Sequence, residues 1–474
     1  MLSFIKDITG IGNDQTHQIE NNEKLGENQN EKNEKNEPNN DANNNDQTKT
    51  TLLNQGTYGC VFRPGIECSS KQLTSKKYIT KIQKYKETSI REVEMGKKIK
   101  KIPGYSQYFA PIIESCDVTV GALNNDPEAK KCDFINMGPE YQNKKYESNR
   151  IRYVGKNTLG DYLVKEAANV SQLESYFRKL INTHTTLLKG ITKLNAANIM
   201  HFDMKENNVI CKDKSGRPII IDFGLSVDTT NIASPEEFHA ADAFFAYGVS
   251  YAPWCLDIGM ITYMIHKTKN ANVEQPTPNA WRKENATLEE TNKVIGEFIK
   301  TNPTMMELFT PEMLEEYKKK AEAYYAPLVE GGMLNVPSWG NVYDELVKYH
   351  KSWDNYGVAV MILDMLRIME LREQATEFPF MQKYIELLTN IVMSMPDKRP
   401  TADETAAEIK TVMSKLPRKD KAKIRKVLTP WARTNHGSQQ LAKSRIATVK
   451  TDEEFVARKQ KIMQRIKAKY VEKQ

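Results

Sequence analysis

The 474-residue sequence has no run of about 18 apolar residues, so no membrane-spanning helix is expected. Its opening, MLSFIKDITGIG, is too short and too mixed for the apolar stretch of a secretory leader. Cysteine is scarce: Cys60, Cys68, Cys116, Cys132, Cys211 and Cys255 are scattered, with no CxxC pair. The seven histidines show no zinc-type spacing either. The default expectation is therefore free thiols in a reducing, intracellular compartment, with a Cys68–Cys132 or similar bridge as the alternative. Apolar residues are nearly missing from 13–50, a stretch of Asn, Glu, Lys, Gln and Asp. Such a segment cannot bury enough surface to offset its ordering entropy, so residues 1–50 are expected to be a disordered tail.

The formal net charge is +7, unevenly spread. After Leu416 there are 17 Lys and Arg against 5 Asp and Glu, so this tail exceeds the whole-chain value and the body is slightly acidic. The tail includes TDEEFVARKQKIMQRIKAKY, a capped, basic, partly amphipathic helix candidate. It suits an acidic partner or nucleic acid, or else is a solvated charged helix.

The remainder is organised around Ile199–Ser226. Val209–Cys211 and Pro218–Asp222 read as two short apolar strands joined by a turn at Asp213–Gly216. Asp203 and Asn208 precede the hairpin and Asp222 ends it, so the three polar groups converge at the mouth of an apolar layer. That arrangement suits a metal–phosphate complex, because Mg²⁺ takes a few oxygen ligands together with substrate phosphates.

The spacing HxDxKxxN (His201, Asp203, Lys205, Asn208) followed by DFG (Asp222, Phe223, Gly224) resembles the catalytic core of eukaryotic-type serine/threonine protein kinases. The resemblance runs over about residues 50–415. It implies an α+β, two-lobed fold: a small antiparallel β lobe (51–154) and a larger, mostly helical lobe (155–415). An insertion falls at about 266–350, and 416–474 form the basic tail. The diverged motifs, the insertion and the Asn-rich tail are also similar to kinases of large DNA viruses. That likeness implies a host cytoplasm or virion as the site of action.

In the small lobe, LLNQGTYGCVF resembles the glycine-rich loop over ATP phosphates, placing Asn54, Gln55, Gly56, Tyr58, Gly59 and Val61 against the nucleotide. Asn54 stands where the first glycine is usual; Asn tolerates positive φ better than most residues. Lys81, in the strand-like KKYITKIQK, resembles the phosphate-binding lysine, with Ile79 replacing the usual Ala two before it. Of the acids in the following helix we choose Glu92 as its partner, because Met95 and Ile99 share that face. FAPII (Phe109–Ile113) reads as the next strand, and Val118–Asn149 as a polar, irregular insertion. Ile151 would guard the back pocket, with Arg152 and Val154 offering backbone groups to adenine and Ile210 forming its floor.

In the large lobe, Gln172–Ala197 carries a core-helix stripe. Ser352–Leu366 opens with Asp354, the residue that holds the catalytic-loop backbone in this family. Ala252-Pro253 is followed by Trp254 where family members carry Glu. Asp257 is the nearest acid to pair with Arg399. The resemblance implies ATP and Mg²⁺ as cofactors and protein substrates as partners. Asp203 would be the catalytic base, Lys205 would contact the γ-phosphate, and Asn208 and Asp222 would hold the metal. Phe202 replaces the arginine that gathers a phosphorylated activation loop, implying activity independent of that phosphorylation. Two other readings stand beside this one: a pseudokinase scaffold binding partners through the insertion and basic tail, and a small-molecule or lipid kinase.

Overall fold

Five antiparallel strands form one sheet: β1 (Thr51–Gly56), β2 (Gly59–Arg63), β3 (Tyr78–Gln83), β4 (Ile112–Thr119) and β5 (Lys145–Arg152), in the order β1-β2-β3-β5-β4. The computed structural model describes residues 51–56, 59–65, 77–83, 86–119, 128–135, 139–169, 173–212, 215–267, 279–330, 337–414 and 437–445. All of them belong to one unit, Thr48–Gln474. The expectations for residues 1–50, for Tyr58 and for the helix candidate after Lys450 lie outside the described residues.

Alternation along β3 sorts the two faces of the sheet. Lys81 and Gln83 bond to Glu92 on helix α1 (Lys86–Ile99). Ile82 joins Cys60, Phe62, Ala129, Cys132 and Ile135 in a second cluster. Residues 128–135 contribute to that cluster, and a Cys60–Cys132 disulfide fixes them to β2. Cys116 is disulfide-bonded as well, so the expectation of free thiols is corrected. Cys132 pairs with Cys60 rather than Cys68, because the two sulfurs meet across the sheet face. Of the described cysteines, Cys211 and Cys255 remain as thiols, both buried.

Two sequence expectations are also corrected here. Part of the supposedly irregular Val118–Asn149 is strand: β5 starts at Lys145 and pairs with both β3 and β4. Its buried residues Ser148 and Asn149 are polar, which hid it; Asn149 is satisfied by Ser89, whose hydroxyl donates at 3.1 Å. The strand expected at Phe109 begins only at Ile112. Pro111 has no N–H to give a ladder, and Phe109 makes an isolated bridge to Ile220.

The rest is mostly helical. β6 (Asn157–Thr158) leads into α2 (Leu159–Asn169) and α3 (Leu173–Ala196), whose buried stripe runs from Tyr176 to Leu194. β7 (Ile199–Met200) pairs with β10 (Val227–Asp228). Between them β8 (Val209–Cys211) and β9 (Pro218–Ile220) form the hairpin, with Ile210 opposite Ile219. The longer helices that follow among the described residues are α4 (Leu256–His266), α5 (Leu288–Thr301), α6 (Pro303–Leu308), α7 (Pro311–Val329) and α8 (Trp339–Leu346). Four of these starts are written in the sequence. Thr287, Asn302, Thr310 and Ser338 each cap their helix, accepting from the N–H of Glu290, Thr304, Met313 and Asn341; proline follows the cap in α6 and α7. Phe298, Tyr317, Tyr325 and Trp339 are fully buried, so this segment shares the main core.

Helix α9 (Trp353–Ile368) is buried on nearly every side, as expected for a helix that is apolar all round. Helices α10 (Pro379–Met393) and α11 (Ala402–Ser414) follow. No described helix is long and apolar enough to cross a membrane.

Candidate active site

The backbone of the loop that carries Asp203 hangs from one carboxylate. Asp354, at the start of α9, accepts from His201 N at 2.7 Å and Phe202 N at 2.8 Å. Burial raises its pKa above the ordinary aspartate value, against the pull of His201 and of those two backbone bonds. Phe202 adopts φ 69°, a left-handed conformation uncommon for a bulky residue. This strained turn is held on both sides. Trp254 Nε1 donates to Phe202 O at 2.8 Å, and the two rings stack at 4.4 Å. The next residue, Asp203, is 6% exposed. Its Oδ2 accepts from Asn208 Nδ2 at 2.7 Å, and Lys205 Nζ lies 3.4 Å from Oδ1.

The small lobe contributes Lys81, whose Nζ lies 3.1 Å from Glu92 Oε2 and 3.2 Å from Asp222 Oδ1. The neighbouring β3 and α1 and the sequence-distant end of the hairpin therefore meet at one ammonium. Burial opposes its charge, but Asp222 and Glu92 outweigh that and hold the lysine pKa above its ordinary value. Glu92 is pushed up by burial, with Lys81 opposing. Burial also works against ionisation of Asp222, yet Lys81, and more weakly Lys205, hold its carboxyl below the usual range. Glu94, the alternative acid on α1, is exposed.

The donor set fits a hard cation. Asn208 commits its amide nitrogen to Asp203 O at 2.9 Å and to Oδ2, an assignment that leaves the amide oxygen as the available acceptor. Asp222 sits at φ 59°, another left-handed backbone, directly after Ile221, whose N–H donates to Asn208 O. The hairpin thus brings one amide oxygen and one ionised carboxylate to the same end. Two protein oxygens suit a Mg²⁺ ion that keeps its remaining positions for phosphate and water. Among the described residues no cluster of three or more His, Cys, Asp or Glu forms a closed metal cage.

The nucleotide-facing candidates fall into two groups. Val61 is the register partner of Lys81, and Asn54 pairs with Val61, so this part of the β1–β2 pair runs beside Lys81 in the sheet. Gly56 and Gly59 close the turn opposite each other. A Cβ on Gly59 would come within 2.1 Å of Ile82 O, so the neighbouring strand already demands glycine there. Gln55 turns outward and accepts from Asp133 N at 3.0 Å, tying the turn to the disulfide-anchored segment. Arg152 ends β5; its side chain donates to Ser106 O at 2.6 Å and Phe109 O at 3.1 Å. Val154 and Ile210 are half-buried. Phe223 is buried in the cluster that holds Met95 and Ile99, edge-on to Phe109 and His201.

Sequence reasoning missed three groups at this site. Gln83 donates to Glu92 Oε2 at 2.7 Å; its i, i+2 position from Lys81 on one strand was a readable signal. Tyr251 bonds to Asp203 Oδ1 and accepts from Lys205 Nζ at 3.2 Å, and no local pattern marks it. Asp257 meets Arg399 in a bidentate pair, 2.8 Å at each oxygen; the sequence suggested that pairing but not the Trp353 Nε1 that also donates at 2.8 Å.

No protein-family profile matches the chain. A 124-residue stretch is 29% identical to human myosin light chain kinase family member 4, covering 24% of this chain and 30% of that protein. Over 149 residues it is 28% identical to mouse death-associated protein kinase 2, covering 28% of this chain and 37% of the relative. The zebrafish myosin light chain kinase 3 is 24% identical over 154 residues, 31% of this chain and 20% of that one. This chain is similar to kinases. It spans no more than 37% of the length of any of these relatives. A small antiparallel sheet beside a mostly helical part agrees with a kinase-like two-lobed fold.

Proposed function

We propose that this chain is an ATP- and Mg²⁺-dependent protein kinase that transfers the γ-phosphate to serine or threonine hydroxyls. One observation carries the reading: Lys81, Glu92 and Asp222 meet across the two lobes beside a loop holding Asp203, Lys205 and Asn208. Phosphoryl transfer asks a protein chiefly to position groups and neutralise charge. Asn208 and Asp222 would hold Mg²⁺, which when bound neutralises charge on the phosphates. Lys81, oriented by Glu92, would hold the α- and β-phosphates. Asp203 would accept the proton of the acceptor hydroxyl, and Lys205 would stabilise charge on the transferred group. The β1–β2 turn would cover the phosphates, and Val61 and Ile210 would enclose the adenine, with Arg152 and Val154 at the strand end offering it backbone groups. The basic segment after Leu416 is proposed to engage an acidic partner or nucleic acid.

The second reading, a scaffold without transfer activity, rests on the departures at Asn54 and Ile79 and on the missing Ala-Pro-Glu. It is disfavoured because each group needed for transfer is present. A radiolabelled-ATP assay on a generic basic protein decides between them. Wild type should label the acceptor, while Asp203→Asn and Asp222→Asn should each lose at least a hundredfold, on the scale of a lost catalytic group. Equal labelling by all three would overturn the assignment, and no labelling by wild type would favour the scaffold.

A further inference from the structure

The described part of the C-terminal tail is a helix over 437–445 that packs on the helical lobe. Leu441 is 3% exposed. A Cβ on Gly160 would lie 2.8 Å from a Leu441 methyl, and one on Gly437 would lie 2.5 Å from Met369 Sδ. Close approach on both sides of the contact marks a seat shaped for this helix. Its end is moored by Arg445. The guanidinium meets Glu206 at 2.7 Å, Asp161 at 3.1 Å and the Thr158 hydroxyl at 2.6 Å. Glu206 lies three residues after Asp203, on the catalytic loop, and also accepts from Gly160 N at 3.2 Å.

Between this helix and the catalytic loop lies a cavity of about 280 Å³. Lys205, Tyr251, Pro253 and Met361 line one side, and Gln440 and Lys443 the other. Lys205 and Tyr251 both touch Asp203, so the cavity opens beside the proposed base. Its other charges are held in pairs: Arg445 faces Glu206 and Asp161, and Arg367 faces Glu307 and Asp364. Exposed Lys443 makes no ion pair or hydrogen bond among the described residues, so it is the cation at the rim left for a partner.

We propose that residues 437–445 form a wall of the acceptor site, so that the site takes a polypeptide segment carrying an acidic residue beside its phosphoacceptor hydroxyl. This rests on the kinase reading and deepens it. Arg445 is a positioning residue, tying the wall to the catalytic loop, and Lys443 reads the acidic side chain. The helix borders the cavity rather than filling it, so it completes the site instead of blocking it.

The test uses the full chain and two serine peptides that differ only in Glu or Lys beside the serine. Wild type should favour the Glu peptide by about fivefold in kcat/KM, the scale of one exposed ion pair. Lys443→Glu should reverse that order with the KM for ATP unchanged. Arg445→Ala should raise the KM for the Glu peptide about tenfold, again without changing the KM for ATP, and Arg445→Lys should restore part of it. Unchanged peptide preference in Lys443→Glu, or higher activity in Arg445→Ala, would overturn the proposal. Peptide binding by fluorescence anisotropy, without ATP, separates the two claims. Lys443-dependent binding without phosphate transfer would keep the wall and remove the kinase reading; transfer indifferent to both residues would do the reverse.

Discussion

The hydroxyl of Tyr251 donates to Asp203 Oδ1 and accepts from Lys205 Nζ, joining the proposed base and its neighbouring lysine through one phenol that is 2% exposed. A hydrogen bond to an ionised group contributes about 1.5–3 kcal/mol. Tyr251→Phe keeps the ring and removes the donor. We expect kcat to fall by about tenfold or more, with the KM for ATP unchanged, in steady-state kinetics. An unchanged kcat would reduce Tyr251 to packing.

Arg399 and Asp257 are 1% and 0% exposed in their side chains. Burial opposes the charge on Asp257, but Arg399 overcomes it and holds the carboxyl below the usual aspartate range. Arg399→Leu leaves that carboxylate buried without a cation and should cost about 3–5 kcal/mol in denaturant unfolding. The sign with pH follows from the depressed folded value. The pair's contribution is complete above the unfolded pKa and is lost as pH falls through the folded one. Replacing both residues by leucine should be milder than replacing Arg399 alone.

His184 lies inside α3, its Nδ1 2.7 Å from the Tyr384 hydroxyl, and burial pushes its pKa down to about 3 from 6.5. The unfolded chain therefore binds this proton first. Stability should fall, by on the order of a few kcal/mol, as pH drops from 6.5 toward 3. His184→Gln should flatten the slope of Tm against pH in that window. An unaltered slope would place the effect on other groups.

The Phe202–Trp254 stack occupies the place where the resemblance puts an arginine waiting for phosphate. Aromatic pairs of this kind are worth about 0.5–1.5 kcal/mol beyond burial. Phosphatase-treated protein should keep its activity, and Ala at the more accessible Thr230 and Ser234 together should leave it within about twofold. Trp254→Ala should lower kcat. Activity that appears only after phosphorylation of this segment would refute the clamp.

The Cys60–Cys132 bond closes a loop across 72 residues and anchors the segment that also holds Gln55. The double replacement Cys60→Ser/Cys132→Ser should lower unfolding stability by about 2–4 kcal/mol. It should also raise the KM for ATP more than it changes kcat, because the β1–β2 turn loses a tether.

Much of this was legible in the sequence, and the limits have physical causes. The hairpin at Val209–Ile220 could be read because strand, turn and strand are contiguous. Glu92 could be chosen over Glu94 because a helix face repeats every three to four residues. β5 could not be read, since Ser148 and Asn149 are polar yet buried, and Asn149 is satisfied by Ser89, a partner the sequence does not display. The bonds from Tyr251 to Asp203, across 48 residues, and from Arg445 to Glu206, across 239, depend on how whole helices pack. Cysteine pairing likewise needs the sheet to be built before the partners are known.

Asn302 donates to the carbonyls of Val249 and Tyr251 at 2.9 and 3.2 Å while its own oxygen caps α6. Anyone trimming this chain toward a smaller version by excising 266–350 would delete that amide. The strip bearing Tyr251 would then lose two of its stakes, three residues before the Trp254 that stacks on Phe202. The extra length is thus a foundation for the reactive end, and miniaturisation should stop short of it.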